Sequence, residues 1–370
     1  MVEPQCPYFG VCGGCSTQHL PYEVQLENKR ALVQQLLKIT EIPVFSDTPY
    51  GYRNRMDFVF HPQGLGFRKK GKWHSIVDVA SCAISNERLQ LLLQELRSFF
   101  GEIEIDAFHP KKHTGTFRYA VVRTPGDDAS ISFILNKDSS RLASALETIH
   151  VFARTTSAKR VMVGYVSAQT DMSISEEIIV VKGDAYLTEI ICGKQLQFHS
   201  QGFFQNNSAM AEKLVAYVRD KLTGRKGTLL DLYGGVGTFG IACSEGFDEV
   251  VIVEEYAGSI ECAERNVAEN KIPGRCMVLD AKKIHTIPLS KPLCAIVDPP
   301  RSGMHPKAIG GVLYHTPDRI VYVSCNPRQL ARELPMFLKQ GYEVESCALF
   351  DLFPQTNHME VVVVLDRKSL

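Results

Sequence analysis

One cysteine stands where a side chain could act as a nucleophile. Cys325 follows the apolar residues 320–323, and polar Ser324 and Asn326 flank the thiol before Pro327 stops the strand. Catalytic side chains of open α/β sheets lie at such carboxyl ends of strands, and a thiolate is a strong nucleophile. A catalytic thiol and a buried core cysteine are both compatible with this position. Six other cysteines are predicted to fill the core: Cys192, Cys243, Cys262, Cys276, Cys294 and Cys347.

An acid opens the last apolar segment of the chain. Glu360 follows residues 353–359 and directly precedes the apolar residues 361–365. A partly buried carboxyl would have a raised pKa, which suits proton transfer near neutral pH. An ordinary carboxylate at the edge of a strand would produce the same pattern, so both interpretations stay open.

A glycine-rich turn in the second half predicts a nucleotide-type ligand. Residues 231–238 lie between a strand-like and a helical segment and contain Gly234, Gly235 and Gly237. Glycines let the backbone approach a ligand closely, and the helix amino terminus presents free N–H groups. Glu254 ends the next apolar segment about twenty residues later, where a Rossmann-like sheet binds a ribose diol. The ligand could be a dinucleotide or S-adenosylmethionine.

The segment Asp298-Pro299-Pro300-Arg301 favours S-adenosylmethionine. It follows the apolar residues 294–297 at another predicted strand end. Asp-Pro-Pro at this position recurs in nucleic-acid methyltransferases, where the rigid backbone frames the cavity for a flipped base. A simple turn at the end of a strand is the alternative.

These residues need elements that position them. Residues 22–39 predict a helix, and residues 45–190 predict the short alternating strands of a small α+β domain. After about residue 205, apolar runs alternate with helical stretches, which indicates a mostly parallel sheet covered on both faces. The apolar side of the first helix is predicted to consist of Leu26, Leu32, Val33, Leu36 and Leu37.

The composition excludes several classes of protein. The 370 residues suffice for two or three domains, and 45% hydrophobic with 22% charged residues excludes a disordered chain. No apolar run is long enough to span a bilayer, and the first residues do not resemble a secretory signal, so a cytoplasmic protein without a membrane partner is expected. Residues 50–123 hold 12 Lys/Arg against 7 Asp/Glu, which fits an RNA or phosphate surface or an ordinary solvated face.

Three cysteines near the amino terminus suggest a metal site. Cys6, Cys12 and Cys15 lie among glycines in a segment that is poor in core residues, and Cys82 is the best candidate for a fourth ligand. Four thiolates could hold zinc or an iron–sulfur cluster. Spacing alone does not distinguish the two.

Four segments carry a resemblance to a known family: Gln201-Gly202-Phe203-Phe204-Gln205-Asn206-Asn207, Asp298-Pro299-Pro300-Arg301, Ser324-Cys325-Asn326-Pro327 and Thr356-Asn357-His358-Met359-Glu360. In this order they resemble the RNA 5-methyluridine (uracil-C5) methyltransferase family, and the similarity runs through nearly the whole chain. Many members carry a [4Fe–4S] cluster on three amino-terminal cysteines plus one, so the resemblance implies this cluster on Cys6, Cys12, Cys15 and Cys82.

The resemblance also implies a mechanism. Cys325 would add to C6 of uracil, C5 would take the methyl group from S-adenosylmethionine, and Glu360 would then remove the C5 proton. Asp298 would hold the uracil edge or the methionine amine, and Asp280, at a third strand end, would accept from the adenine amine. The family's cofactor contacts correspond to seven residues: Gln205, Tyr233, Gly235, Thr238, Glu254, Asp280 and Asp298.

The pattern and the resemblance together predict an α/β fold class with four segments. Residues 1–20 form the iron–sulfur loop and residues 21–44 a linking helix. Residues 45–195 form a central α+β RNA-binding domain that includes Cys82. Residues 196–370 form a Rossmann-like S-adenosylmethionine-dependent methyltransferase domain.

The predicted substrate is a uridine in 23S (large-subunit) ribosomal RNA. Many family members begin with a small β-barrel RNA-binding domain, the TRAM domain, which this sequence is expected to lack, and the layout then resembles the ribosomal RNA enzymes. Uridine 54 of tRNA is the alternative substrate. An amino-group methyltransferase using Asp298 and a non-catalytic iron–sulfur RNA-binding protein are the other hypotheses, and no obligate protein partner is inferred.

Overall fold

A computed structural model describes residues 1–368 of the protein. Within these residues, eight α-helices and one 3-10 helix (Ala281–Thr286) are present. The α-helices are α1 (Tyr22–Leu37), α2 (Glu87–Gly101), α3 (Leu142–Thr155), α4 (Ser208–Leu222), α5 (Thr238–Ala242), α6 (Ala257–Glu269), α7 (Pro306–Tyr314) and α8 (Pro327–Leu338).

Seventeen strands are present in the same described range. They are β1 (Val44–Phe45), β2 (Arg55–His61), β3 (Gly64–Lys69), β4 (Lys72–Asp78), β5 (Phe117–Arg123), β6 (Ser130–Asn136), β7 (Arg160–Val166), β8 (Ile178–Lys182), β9 (Tyr186–Ile191), β10 (Lys194–His199), β11 (Thr228–Leu232), β12 (Glu249–Glu254), β13 (Gly274–Val278), β14 (Leu293–Val297), β15 (Arg319–Ser324), β16 (Tyr342–Phe350) and β17 (Glu360–Arg367). The short strands predicted within residues 45–190 are confirmed by β2 to β9, and the apolar runs of the second half are also strands.

The chain divides into two compact units. The first contains Met1–Tyr22, Thr48–Thr188 and His199–Gln201. The second contains Glu23–Asp47, Glu189–Phe198 and the residues from Gly202 on. The first unit therefore carries all four amino-terminal candidate metal ligands, and the second carries the candidate catalytic residues.

A seven-stranded sheet forms the centre of the first unit, in the order β4-β3-β2-β5-β6-β7-β8. Its strands pair antiparallel except for β6 with β7. Phenylalanine rings pack the core that this sheet shares with α2 and α3, with Phe100 lying 5.0 Å from Phe60 and 5.6 Å from Phe133 between ring centroids. Such tilted and edge-on ring pairs stabilise a core beyond the apolar area that they bury.

An eight-stranded sheet forms the centre of the second unit, in the order β1-β16-β17-β15-β14-β11-β12-β13. The five strands from β15 to β13 run parallel, as expected from their continuous apolar sequences. β17 is antiparallel to both of its neighbours, β15 and β16. The prediction of a mostly parallel sheet is therefore confirmed, with an antiparallel strand inserted next to the nucleophile-bearing strand.

Helix α1 buries a different face from the one its apolar residues predict. Val33 and Leu37 are buried, but Leu26 is only half-buried, whereas the polar Gln25 and Lys29 are buried. Lys29 Nζ lies 2.6 Å from Asp351 Oδ1, and both side chains are almost completely removed from solvent. The polar face is inside because its partners come from the far end of the chain, which periodicity within the helix cannot indicate.

We expect Lys29→Ala to lower the free energy of unfolding by about 3–5 kcal/mol, because it leaves the buried Asp351 carboxylate without its ammonium partner. Urea denaturation measures the change. Glu27→Ala is the matched control, since Glu27 pairs with Arg30 on the exposed face of the same helix and such pairs contribute about 0–1 kcal/mol. Equal losses for the two variants would contradict the expectation.

No helix within residues 1–368 combines the length and the apolar character needed to cross a membrane.

Candidate active site

The antiparallel insertion of β17 brings the predicted nucleophile and base to one edge of the sheet. Ser324, the last residue of β15, pairs with Val361, the second residue of β17. Cys325 therefore leaves the sheet where Glu360 enters it. Asp298 directly follows β14, the parallel neighbour of β15, so its carboxyl lies at the same edge.

Electrostatics show that these side chains interact. Burial, followed by the nearby carboxyls of Glu360 and Asp298, raises the pKa of the Cys325 thiol to about 11, while Arg301 opposes the rise. Burial and Asp298 raise the pKa of Glu360 well above its ordinary value. Burial, with Asp231 nearby, raises the pKa of Asp298 to about 7. The site is an acidic cluster around a thiol, and burial favours the protonated carboxyls.

One oxygen of the Glu360 carboxyl lacks a hydrogen bond within residues 1–368. Its Oε2 is buried and has no hydrogen-bond partner among the described residues. A buried carboxyl oxygen without a partner is costly in a structural role, and such costs are concentrated at functional sites. This observation separates Glu360 from the ordinary strand-edge carboxylate that the sequence left open.

We expect alkylation of Cys325 by iodoacetamide to become about tenfold faster with each pH unit from about pH 7 to pH 10, because only the thiolate reacts and the thiol pKa lies near 11. Mass spectrometry of the Cys325 peptide measures the rate. A simple peptide thiol, with a pKa of about 8.5, is the reference and levels off within this range. A Cys325 profile that follows the reference would contradict the raised pKa.

The glycine-rich turn has the shape expected of a ligand loop. Tyr233 leaves β11 with a positive φ of 64°, and Gly237 caps α5 with a φ of 87°. A Cβ on Gly237 would lie 2.8 Å from side-chain atoms of Ile241 and Ile252, so glycine is required for both reasons. Gly235 donates its N–H to Glu254 Oε2 at 3.2 Å, which joins the turn to the end of β12.

Most of the predicted cofactor residues lie at or near this turn, and Gln205 is the exception. The carboxyls of Asp280 and Glu254 both raise the pKa of Tyr233, so these three side chains lie near one another. Thr238 is the first residue of α5. Asp280 caps the 3-10 helix and also binds the Lys282 ammonium at 2.8 Å.

Gln205 lies apart in sequence from these residues, half-buried in the segment between β10 and α4. Two residues later, Asn207 caps α4 through its side chain and donates from Nδ2 to the carbonyl of Leu352 at 3.1 Å. The segment that contains Gln205 is thus attached to the segment that leads to Glu360.

Asp231 is a site residue that the sequence reasoning did not select. It is completely buried in β11, and its Oδ2 accepts the Gly240 N–H at 2.7 Å while its Oδ1 has no partner in the described residues. Burial raises its pKa to about 7. The available signal was an acid inside an otherwise buried apolar strand, which is costly without a function.

Glu333 holds the strand that leads to Cys325, and the sequence reasoning also missed it. Its carboxylate accepts from the Tyr322 hydroxyl at 2.5 Å, from Gln329 Nε2 at 2.7 Å and from the Met304 N–H at 3.0 Å. Gly303 has a positive φ of 78° and passes so close that a Cβ would lie 2.0 Å from the Glu333 carboxylate. Glu333 thereby joins α8, β15 and the loop after Asp298.

Asn326 makes a second connection between the same loops. Its Nδ2 donates to the carbonyl of Arg301 at 2.9 Å, and its side chain caps α8. The loop with the thiol and the loop with Asp298 and Arg301 are therefore held in register. A thiol and a carboxyl positioned in this way can act on one bound group without rearrangement of the backbone.

Helix α1 holds the segment that carries the base. Gln25 and Gln355 exchange hydrogen bonds of 3.0 and 3.2 Å, and Gln355 has a positive φ of 66°. Lys29 Nζ also donates to the carbonyl of Phe353 at 3.3 Å. These contacts fix residues 351–355 before the chain enters β17 at Glu360.

The amino-terminal cysteines lie together in the first unit. All eleven cysteines are free thiols. The thiols of Cys6 and Cys15 both contribute to raising the pKa of Cys82, which burial raises to about 12, and Cys6 and Cys12 likewise raise the pKa of Cys15. The four thiols are thus close enough to influence one another's pKa. Within residues 1–368, however, no group of three or more His, Cys, Asp or Glu side chains has the spacing of a formed metal site.

Donors surround these sulfurs. The Gly14 N–H points to Cys12 Sγ at 3.4 Å, and the Gln18 amide lowers the pKa of Cys15 while its Nε2 is buried with no other partner in the described residues. N–H donors directed at sulfur stabilise thiolates and clusters. The donor set fits a thiolate-bound group.

Four of the six predicted core cysteines are buried: Cys243, Cys262, Cys294 and Cys347. Cys192 and Cys276 are only half-buried, which corrects the prediction for these two. Cys192 lies in a turn with a positive φ of 50°, between β9 and β10, where the chain reverses at the surface of the core.

A parallel sheet with a glycine-rich first turn, an acid after its second strand and reactive side chains at the same edge is the architecture of the α/β methyltransferases. Residues 21–368 match the family described as tRNA (Uracil-5-)-methyltransferase. The chain belongs to this family, and the protein is an RNA methyltransferase.

Individual relatives are similar over nearly the full chain. An RNA methyltransferase of Caldanaerobacter subterraneus that is described as uncharacterized is 33% identical, over 99% of this chain and 85% of that protein. The tRNA (uracil(54)-C(5))-methyltransferase of Pyrococcus horikoshii is 34% identical, over 98% of this chain and 86% of that protein. The crystal structure of the Pyrococcus abyssi tRNA (uracil-54, C5)-methyltransferase in complex with S-adenosyl-L-homocysteine superposes with a TM-score of 0.81 at 30% identity, covering 96% of this chain and 86% of that one.

Proposed function

We propose that the protein transfers a methyl group from S-adenosylmethionine to C5 of a uridine in RNA. The observation that carries the proposal is the meeting of Cys325 and Glu360, on neighbouring antiparallel strands, beside Asp298. An amino-group methyltransferase would need Asp298 but no thiol. The buried Glu360 beside a thiol therefore favours carbon as the methylated atom.

Cys325 acts as the thiolate, its thiol proton having passed to solvent, and forms a bond from its sulfur to C6 of uracil, which moves the electron pair of the C5–C6 double bond toward C5 and the O4 enolate. C5 then accepts the methyl group, for which S-adenosylmethionine would supply an electrophilic carbon, with S-adenosylhomocysteine as the leaving group. Glu360, as the carboxylate, removes the C5 proton, the C5–C6 double bond forms again, and Cys325 leaves as the thiolate. Cys325 then regains a proton from solvent and Glu360 gives its proton up to solvent, so one proton is released for each methyl group transferred.

The chain's own residues account for the binding of the methyl donor. The glycine-rich turn before α5 and the carboxylate of Glu254, which accepts the Gly235 N–H, suit the methionine and ribose portions. The Asp298 carboxyl, with the buried Asp231 carboxyl near it, suits the cationic amino and sulfonium groups. Gln205 and Asp280 complete the proposed set, with Asp280 next to the adenine.

The RNA substrate has two candidates. The sequence analysis predicts a uridine of 23S ribosomal RNA. The names of the relatives from Pyrococcus horikoshii and Pyrococcus abyssi support uridine 54 of tRNA as the second. Both candidates require the target base to leave its stack and enter the site at the sheet edge.

The test is to incubate the anaerobically purified protein with methyl-labelled S-adenosylmethionine and unmodified 23S ribosomal RNA or tRNA, and to identify the labelled nucleosides. Label in 5-methyluridine is expected, and the labelled RNA identifies the substrate. Label on adenine or guanine nitrogens would support the amino-group alternative. Absence of label from both RNAs would contradict the proposal and favour the binding-protein hypothesis.

We also propose that Cys6, Cys12, Cys15 and Cys82 bind a [4Fe–4S] cluster. The proximity of the four thiols and the donors around them support it. Such a cluster would join the amino-terminal loop to the segment before α2. Its function would be structural, since the proposed reaction transfers no electron.

We expect the protein reconstituted with iron and sulfide to hold about four iron atoms per chain, and Cys82→Ser to lose most of this iron together with the visible absorbance. Iron and sulfide analysis measures both. Cys192→Ser is the matched control, because Cys192 is half-buried and lies far from the other four cysteines in sequence. Stoichiometric zinc in place of iron, or full iron content in Cys82→Ser, would contradict the proposed cluster.

A further inference from the structure

The hairpin of β3 and β4 exposes the protein's one tryptophan, which is the second residue of β4. Trp73 retains 57% of its accessible surface, although a tryptophan is among the side chains that gain most from burial. Its ring has a close aromatic neighbour in His74, at 5.7 Å between centroids. The exposure of so large an aromatic side chain cannot be explained by a role in the hydrophobic core, so another role is needed.

Three lysines lie close to Trp73 along the chain. Lys69, Lys70 and Lys72 are exposed on the same hairpin, and residues 69–77 contain no acid. None of these three lysines takes part in the ion pairs of the described residues. The next acid, Asp78, is already bound by Arg97 at 2.7 Å and by His61 at 3.0 Å. The lysine ammonium groups are therefore free to meet an external anion.

Contacts with other parts of the first unit hold the β3–β4 hairpin in position. Arg68 donates to the Trp73 carbonyl, to the Tyr119 hydroxyl at 2.8 Å and to Asp171 at 2.5 Å. On the other side, the Lys70 N–H donates to the carbonyl of Val11 at 2.8 Å, so the cysteine loop lies against the strand. Such anchoring lowers the entropic cost of binding, because the presenting backbone is already ordered.

We propose that Trp73 stacks on an unpaired base of the substrate RNA while Lys69, Lys70 and Lys72 contact the flanking phosphates. Aromatic faces interleaved with cations are the means by which proteins bind single-stranded RNA. An anionic membrane surface is a less suitable partner for this hairpin, because interfacial anchors use several apolar side chains. Between residues 61 and 80 of the described chain, Trp73 is the one large apolar side chain that is exposed. The inference rests on the proposed function, because it names the surface that would hold that RNA.

The sole tryptophan makes a direct test available. The holo protein is titrated with a single-stranded 12-nucleotide oligouridylate or with a blunt RNA duplex, and tryptophan emission reports on Trp73 alone. Saturable quenching is expected with the single strand and little with the duplex. Emission that does not change at saturating single strand would overturn the stacking, as would an emission shift that anionic phospholipid vesicles produce and RNA does not.

Affinity measured by anisotropy of labelled RNA gives an independent readout. Trp73→Ala is expected to weaken binding about 5- to 150-fold, and Trp73→Phe to retain most of the affinity. Changing Lys69, Lys70 and Lys72 together to Gln should reduce the slope of log affinity against log salt by about 2, from three phosphate contacts. Tyr314→Ala is the matched control, since Tyr314 is an aromatic residue with 71% exposure in the second unit. Unchanged affinity in Trp73→Ala would overturn the proposal.

The methylation assay separates this surface from the proposed function. If the surface binds the substrate, Trp73→Ala raises the KM for RNA by the factor found in binding and leaves kcat unchanged. Normal methylation with an unchanged KM would overturn the surface while the proposed function stands. Quenching by RNA in a protein that methylates no RNA would support the surface and contradict the proposed function.

Discussion

A Cys325→Ala protein is expected to bind S-adenosylmethionine and RNA but to transfer methyl groups at least about 10³-fold more slowly than the unchanged protein. The reason is that C5 of uracil becomes nucleophilic only after the sulfur has added to C6. Single-turnover transfer of labelled methyl groups measures the rate. Binding of S-adenosylmethionine, measured by calorimetry, should change little, because Cys325 belongs to the base side of the site.

A covalent readout sharpens this expectation. RNA in which 5-fluorouridine replaces uridine has no proton on C5, so the methylated adduct cannot release Cys325. The unchanged protein should then remain joined to this RNA in a denaturing gel, and Cys325→Ala should not. Cys347→Ala is the control, since Cys347 is a buried core cysteine in β16. An adduct that forms in Cys325→Ala would assign the nucleophile to another residue.

Glu360→Gln is expected to have the second largest effect, a loss of about 10²- to 10⁴-fold in turnover, because an amide cannot accept the C5 proton. The steps before proton removal do not need this carboxylate. Ordinary uridine RNA should therefore accumulate as a methylated covalent adduct with Cys325. Gel shift under denaturing conditions and the amount of label in the adduct measure this accumulation.

The double variant tests whether both residues act on the same base. Cys325→Ala with Glu360→Gln should form no adduct, and its turnover should resemble that of Cys325→Ala alone, since groups that act in one sequence are not additive. Glu343→Gln is a suitable control for Glu360, because Glu343 is an exposed carboxylate on β16. A Glu360→Gln protein that turns over normally would remove Glu360 from the mechanism.

The sequence was most informative where chemistry is local. Continuous apolar runs predict the strands that end near Asp298 and Cys325. The glycines before α5 predict a tight turn, because few other residues adopt its backbone angles. The first helix was predicted to begin at Tyr22 and does so, ending two residues earlier than expected at Leu37. Its buried polar face could not be predicted, because Lys29 and Asp351 are 322 positions apart.

Two buried acids show the same limit. Asp231 is marked in the sequence only as an acid within an apolar strand, and Glu333 is not marked at all. Their contacts with Gly240, Tyr322 and Met304 appear only in the structure. The resemblance to a family named the reacting residues but not the contacts that hold them. Those contacts are distributed over α1, α8 and three loops.

The sequence by itself determined the candidate reacting groups, the glycine-rich turn and the alternation of strands and helices, because residue type and short-range periodicity encode them. Only the tertiary structure decided that β17 enters antiparallel beside β15, and so that Glu360 faces Cys325 rather than lying at the opposite edge of the sheet. Strand direction depends on the pairing of β17 with β16 and on the segment that α1 holds, where Gln25 and Gln355 are 330 positions apart in the chain.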